Sequence, residues 1–348
     1  MKLYNRISSE VLKQQMLESD EKRVTLSFYK YAKIDEPKVF RNKIYQEWSE
    51  LGVFGRIYVA KEGINGQVSL PEENVEKFRE VVYAVPFLEG IRLNIAIDDD
   101  GKSFYKLGIK VKEKIVADGL NDATFDVTNG GTHLSAEEFN KLTDDEKNTI
   151  IVDMRNHYES EVGHFENAIL PDVETFRESL PIITDILDEH REKNIVMYCT
   201  GGIRCEKASA YFKHQGFEKV YQLDGGIIEY AREAKKKGLK NKFRGKNFVF
   251  DERMGERISE EIISKCHQCG KPCDTHVDCA NDACHILFIQ CDECAEEHDS
   301  CCSTECSDFT KLPLEEQKVQ KITRVFNGSK FGKGRYKAFN QAEGEKLV

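Results

Sequence analysis

The run Asn194-Ile195-Val196-Met197-Tyr198-Cys199-Thr200-Gly201-Gly202 constrains this chain more than any other stretch. Residues suited to a buried strand stop at a cysteine, glycines follow, and helical spacing resumes with Ala208, Tyr211 and Phe212 on one face. A strand that feeds a helix through so short a turn belongs to a parallel sheet with helices on both faces. Thr149 to Met154 and Lys219 to Leu223 read as further strands of that sheet. Ser135 and Glu138 have the spacing of a capping box that opens a helix.

Ligand sites of such sheets lie beyond the carboxyl ends of the strands, where Cys199 falls. Thr200-Gly201-Gly202 lets the backbone approach the sulfur closely. The amide groups at the start of the next helix, together with Arg204, favour thiolate, the reactive form. The plainer alternative is a structural cysteine in a tight turn. Cys199 is the expected nucleophile, with Thr200, Gly201, Gly202, Ile203 and Arg204 as its loop. Asp153 and Arg155 end a neighbouring strand at the same sheet face and are expected to line the pocket. Cys205 is either a resolving thiol or, as a place near the first helical turn favours, a small residue beyond disulfide reach.

Residues 1–120 carry a different pattern. Strands are expected at Thr25 to Ile34, Gly55 to Ala60, Ile64 to Leu70 and Ile91 to Ile97. Helices are expected behind Pro37, with Phe40, Ile44 and Trp48 at helical spacing, and over Pro71 to Val85. That order is the split-βαβ, ferredoxin-like arrangement. Lys106 to Val116 reads as an added strand. A linker is expected around Asn129-Gly130-Gly131.

Apart from Cys199 and Cys205, the 12 cysteines all fall between Cys266 and Cys306. Met1 to Glu21 is polar and unlike a signal peptide, and no apolar run reaches the length of a membrane span. A cytoplasmic chain is expected, without a membrane partner, and in a reducing compartment such cysteines serve metal or catalytic roles. Cys266, Cys269, Cys291 and Cys294 form two Cys-x-x-Cys knuckles suited to one tetrahedral zinc. Cys273, Cys279, Cys284, Cys301, Cys302 and Cys306, with nearby histidines, are enough for a second ion. Structural thiols or disulfides are the competing reading.

Net charge is −10, which excludes a chain basic throughout but not a basic patch. Lys321, Arg324, Lys330, Lys333, Arg335 and Lys337 alternate with Phe326, Phe331, Tyr336 and Phe339, without an acid among them. Cations meet phosphates and rings stack on unpaired bases, so this tail is a candidate RNA contact. Lys242 to Lys246 and the lysines from Lys102 to Lys114 are further candidates. A solvated charged surface is the alternative for each.

Cys199 to Arg204 resembles the rhodanese active-site loop, with four residues between cysteine and arginine. Protein tyrosine phosphatases place five there, and the shorter cradle suits phosphate poorly. Ile151-Val152-Asp153-Met154-Arg155, Gly163-His164-Phe165 and Leu223-Asp224-Gly225-Gly226-Ile227 are similar to other rhodanese segments. The longer run Cys199 to Ser209, Gly225 to Tyr230, and Val59 to Gly66 resemble the oxygen-dependent tRNA uridine(34) hydroxylase family. That resemblance spans nearly the whole chain. It implies a multidomain α/β and α+β protein: a ferredoxin-like (acylphosphatase-like) domain at 1–120, a rhodanese-like parallel-sheet domain at 132–237, and a cysteine-rich region with a basic tail at 240–348. It also implies C5 hydroxylation of the wobble uridine to 5-hydroxyuridine, with molecular oxygen as co-substrate and a tRNA anticodon loop, not DNA, as partner. A sulfurtransferase using a Cys199 persulfide is the alternative.

Overall fold

The computed structural model describes residues 7–122, 124–326 and 328. Lys330, Lys333, Arg335 and Lys337 of the expected RNA-binding tail lie outside the described residues. Helix α1 (Ser9–Glu18) leads into β1 (Arg23–Tyr31), α2 (Pro37–Glu50), β2 (Phe54–Ala60), β3 (Gly63–Pro71), α3 (Val75–Tyr83), β4 (Asn94–Ile95) and β5 (Leu107–Val111). The sheet runs β4-β1-β3-β2-β5. Its first four strands are antiparallel, the split-βαβ order, and β5 adds parallel to β2. The strand expected over 91–97 pairs only through Asn94 and Ile95, a short edge that limits pairing with other chains.

Side chains alternate between the two faces of this sheet. Leu26, Phe28, Ile57, Val59, Ile64 and Val68 join α2 and α3 in one core. There Trp48 packs edge-on to Phe28 at 5.8 Å and to Phe78 at 5.2 Å. The opposite face is polar: Thr25, Ser27 and Tyr29 from β1, Arg56 and Tyr58 from β2, Asn65 and Gln67 from β3.

The next segment contains β6 (Thr132–Leu134), α4 (Ala136–Thr143), β7 (Thr149–Asp153), α5 (His157–Ser160), β8 (Gly163–Phe165), β9 (Ala168–Ile169), α6 (Phe176–Leu187), β10 (Asn194–Tyr198), α7 (Ile203–His214), β11 (Val220–Leu223) and α8 (Gly226–Lys237). Ser135 and Glu138 form the expected capping box of α4. The sheet order is β6-β11-β10-β7-β9, with parallel pairs throughout. Helices α6 and α7 bury Leu180, Ile183 and Phe212 on one face, while α4 and α8 bury Phe139 and Tyr230 on the other. The central strand β10 points Cys199 out of its carboxyl end.

Strand β12 (Phe243–Asn247) pairs antiparallel with β8, Phe243 opposite Phe165, and carries β13 (Glu256–Arg257) on its other edge. A hairpin of β14 (His276–Asp278) and β15 (Leu287–Ile289) then precedes α9 (Asp292–Glu297), α10 (Thr304–Thr310) and α11 (Leu314–Gln320). The basic run expected at Lys242 to Lys246 is not a free cationic stripe. Lys242 Nζ turns inward to Asp144 Oδ1 at 2.6 Å, Arg244 pairs with Glu261 at 3.1 Å, and Lys246 with Asp274 at 3.1 Å. Among the described residues no helix is long and apolar enough to cross a membrane.

Candidate active site and cysteine clusters

The loop after β10 closes around one sulfur. Gly202 N–H donates to Cys199 Sγ at 3.1 Å. Gly202 adopts φ +100°, and a Cβ there would meet Tyr29 Oη at 2.7 Å. The start of α8 clamps the loop from behind, with Ile227 N–H on Cys199 O at 3.0 Å and Ile228 N–H on Thr200 O at 3.3 Å. A Cβ on Gly226 would strike Cys199 O at 2.5 Å, so the second glycine of that turn is a packing requirement.

Burial pushes the Cys199 thiol up. The Cys205 thiol, the Arg204 guanidinium and the amide groups of Cys205 and Arg204 outweigh it and bring Cys199 down to about 6. Cys205 therefore does more than fill space in the first turn of α7. Its thiol helps to lower that of Cys199, while burial and Cys199 push its own well above the usual range. Arg204 does not aim its fork at the sulfur. Nη1 and Nη2 bind Glu159 Oε1 and Oε2 at 2.6 and 2.8 Å, and Glu159 is fully buried.

Asp153 and Arg155 are not pocket residues. Both are fully buried, with Arg155 Nη2 on Asp153 Oδ2 at 2.7 Å and on Gly163 O at 2.6 Å. Tyr198 Oη donates to Asp153 Oδ2 at 2.7 Å, and the guanidinium lies over the Tyr198 and Phe243 rings. Burying both charges costs desolvation, which the two-point ion pair, the Tyr198 hydroxyl, the Gly163 carbonyl and the two aromatic rings offset.

Cys199, Thr200, Gly201, Ile203 and Arg204 line a cavity of about 300 Å³. Its other wall is the polar face of the first sheet, including Ser27, Tyr29, Tyr58, Asn65 and Gln67, and it is completed by Asn94, Phe250 and Glu256. None of these was singled out from the sequence as a site residue. The only signal was alternation in β1 to β3, which reads equally as a solvated face, and Asn65 within the Val59 to Gly66 run. Lys321 and Arg324 are exposed at the end of α11, with Arg324 over the Phe309 ring at 5.7 Å.

Eight of the ten other cysteines gather into two tetrads. Cys266, Cys269, Cys291 and Cys294 form one, and Cys279, Cys284, Cys302 and Cys306 form the other, with the sulfurs of each within 4.8 Å of one another. Sulfur separations are 3.6 Å for Cys269–Cys291, 3.7 Å for Cys284–Cys302 and 3.6 Å for Cys302–Cys306. Disulfides need about 2.0 Å, whereas a tetrahedral ion with bonds of about 2.3 Å sets its sulfurs about 3.8 Å apart. Backbone N–H groups of Cys291 and Cys302 point at Cys266 Sγ and Cys279 Sγ, as acceptors of thiolate character require. Both tetrads fit a metal ion. Cys273 and Cys301 belong to neither.

Residues 23–115 match the UPF0176 acylphosphatase like domain, residues 135–233 the rhodanese-like domain, and residues 244–307 the rhodanase C-terminal domain. The tRNA uridine(34) hydroxylase of Pectobacterium carotovorum is 57% identical, covering 94% of this chain and 94% of its own. The chain belongs to the tRNA uridine(34) hydroxylase family. A second member, from Photorhabdus laumondii, is 56% identical and covers 96% of this chain and 95% of its own. A solved rhodanese-like domain protein from Staphylococcus aureus is 23% identical over 28% of this chain and 90% of that one, with a TM-score of 0.24. In this member of the hydroxylase family the cavity draws residues from all three matched segments: Asn65 from the first, Cys199 from the second and Glu256 from the third.

Proposed function

We propose that this chain hydroxylates uridine 34 of tRNA at C5, giving 5-hydroxyuridine, with Cys199 as nucleophile and molecular oxygen as co-substrate. The observation that carries the reading is a thiol lowered to about 6 on the wall of a half-open cavity between the two sheets. Such a cavity suits a single base turned out of the anticodon loop. The thiolate adds to C6 of the ring, which makes C5 electron-rich. One oxygen atom is retained at C5, and the other leaves as water with two electrons and two protons from a reductant. Loss of the C5 proton and of the sulfur restores the ring. A sulfurtransferase working through a Cys199 persulfide is not favoured, since the relatives carry the hydroxylase name.

Lys321 and Arg324, with Lys330, Lys333, Arg335 and Lys337 farther along the sequence, are the proposed phosphate contacts for the anticodon arm. Zinc is the proposed ion of each tetrad, with a structural role, because four thiolates leave no open position. The cytoplasm is the proposed compartment, where tRNA resides and thiols stay reduced.

Nucleoside mass spectrometry of tRNA tests the reading. Cells lacking the gene, and cells complemented with Cys199→Ser, are expected to lose 5-hydroxyuridine made by this route. Undiminished 5-hydroxyuridine removes the reading, and a loss of thiolated nucleosides in its place establishes the sulfurtransferase.

A further inference from the structure

The lysines between Lys102 and Lys114 divide into two groups. Lys102 Nζ binds Met16 O at 2.7 Å, Lys106 Nζ meets Ser9 Oγ at 2.9 Å, and Lys114 Nζ meets Asp118 Oδ1 at 2.5 Å. Lys110 and Lys112 are exposed, and among the described residues no carboxylate lies within ion-pair distance of either. The register of the sheet places these two with care. Strand β5 pairs parallel with β2, Lys110 opposite Tyr58 and Gly108 opposite Arg56. Lys112 continues the ladder, its N–H on Val59 O at 2.9 Å. Alternation then sets Arg56, Tyr58, Lys110 and Lys112 on one face, and Lys112 Nζ stands over the Tyr58 ring at 5.9 Å. Arg56 is exposed as well, with a long hydrogen bond to Phe250 O at 3.5 Å and no carboxylate in reach among the described residues. Arg56 and Tyr58 line the Cys199 cavity, so the row starts on the cavity wall and runs out to the edge strand of the sheet. The acids of the same wall are committed elsewhere: Asp251 and Glu256 hold Arg253 at 2.6 and 2.8 Å. Glu113, next to Lys112 in sequence, lies past the end of β5.

A base turned into this cavity leaves its ribose and the two flanking phosphates outside. We propose that Arg56, Lys110 and Lys112 hold the phosphates on either side of nucleotide 34, and that the Tyr58 ring is a stacking surface for a neighbouring unpaired base. The inference rests on the proposed function, since it takes tRNA as the occupant. It assigns part of the RNA contact to the N-terminal sheet, beside the chemistry, in addition to the C-terminal tail. Cations interleaved with a ring are how proteins follow single-stranded RNA, charge to backbone and ring to base. A chain of net charge −10 repels RNA at long range, so the anticodon loop has to be drawn in by a local cationic field. An exposed guanidinium on the cavity wall, followed by two ammonium groups without acids, supplies one at the point where the backbone must bend to insert its base.

The test follows binding of substrate tRNA to the full-length chain by fluorescence anisotropy across a salt series. The triple variant Arg56→Gln, Lys110→Gln, Lys112→Gln removes three exposed charges. It is expected to bind at least about tenfold more weakly at about 0.1 M salt, and to flatten the slope of log affinity against log salt by about 2, or about 0.7 for each single-strand phosphate. Its melting temperature and Cys199 alkylation rate are expected to stay at the wild-type values. Lys38→Gln with Lys77→Gln takes exposed charge from α2 and α3, behind the sheet, and is expected to leave the slope unchanged. Wild-type affinity and slope in the triple variant overturn the proposal and leave the hydroxylase reading standing. Equal flattening per charge in the control pair also overturns it, because net charge then accounts for the loss. Absence of 5-hydroxyuridine from tRNA of cells carrying the wild-type chain overturns the hydroxylase reading itself. A second measurement needs no variant. Substrate tRNA with 4-thiouridine at position 33 or 35 is expected, on irradiation, to cross-link to β2 or β5 of the wild-type chain. Cross-links confined to other segments overturn the assignment.

Discussion

At Cys199, burial and hydrogen bonding pull in opposite directions, and the direction of the net effect is measurable. The thiol falls from 9.0 to about 6, so it is mostly ionised at pH 7 and becomes protonated only as pH drops through about 6. The rate of iodoacetamide labelling of Cys199 is therefore expected to rise with a midpoint near pH 6 and to level off above pH 7. A midpoint between pH 8 and 9 would show that the loop amides and Arg204 do not hold the thiolate. Arg204→Ala tests the same balance from the other partner. It strands the buried Glu159 carboxylate, at an expected cost of about 3–5 kcal/mol in urea unfolding, and it shifts the labelling midpoint upward. An unchanged midpoint would place the control of the sulfur in the Cys205 thiol and the amides. The place of Cys199 at the strand end and in its loop was legible in the sequence because strand, cysteine, glycines and arginine are consecutive. Asp153 and Arg155 misled because a strand-end ion pair looks the same in sequence whether it faces a cleft or a core. Three aromatic or carbonyl partners distant in sequence, Gly163, Tyr198 and Phe243, decide it.

Elements divide along the same line between local and long-range information. The elements from β1 to β5, and α4, β7, β10, α7 and β11 in the next segment, followed from local pattern and spacing, because each rests on neighbours a few residues apart; α1, β6, α5, β8, β9, α6 and α8 were not read from the sequence. The polar face of β1 to β3 was visible as alternation, but what covers it was not. The tetrads show the contrast most directly. Cys-x-x-Cys spacing announces Cys266, Cys269, Cys291 and Cys294. Cys279, Cys284, Cys302 and Cys306 have no repeated spacing and are joined only because the β14–β15 hairpin and the start of α10 converge. Metal analysis of chain purified without chelator is expected to find two zinc ions per chain. Cys284→Ser is expected to remove one of them and to lower the melting temperature, because binding energy at such sites is folding energy. Metal-free protein with an unchanged melting temperature would assign the cysteines a purely packing role.

The molecule as a whole is a clamp, in which a ferredoxin-like sheet is pressed onto the active-site end of a parallel sheet. Its fastening is polar. Lys207, 1% exposed on α7, reaches across to Glu62 at 2.9 Å and to Asp118 at 2.6 Å, and Tyr29 Oη donates to Glu206 at 3.1 Å. Glu62 stands 145 residues from its partner, and nothing local to either residue announces the pairing. The arrangement has a thermodynamic consequence. A buried cation shared by two carboxylates is costly to remove, because Asp118 stays buried after the lysine is gone, with Lys114 as its remaining ion pair. Lys207→Ala is therefore expected to destabilise the chain by about 3–5 kcal/mol and to loosen the sheet that forms the far wall of the Cys199 cavity. Calorimetry should read this as a split of the unfolding profile, with the N-terminal segment melting first. Hydroxylation should fall even though Lys207 touches neither the cavity nor Cys199. If the variant instead melts in one step at the wild-type temperature, the two sheets are held together by their apolar contacts, and the ion cluster is a passenger.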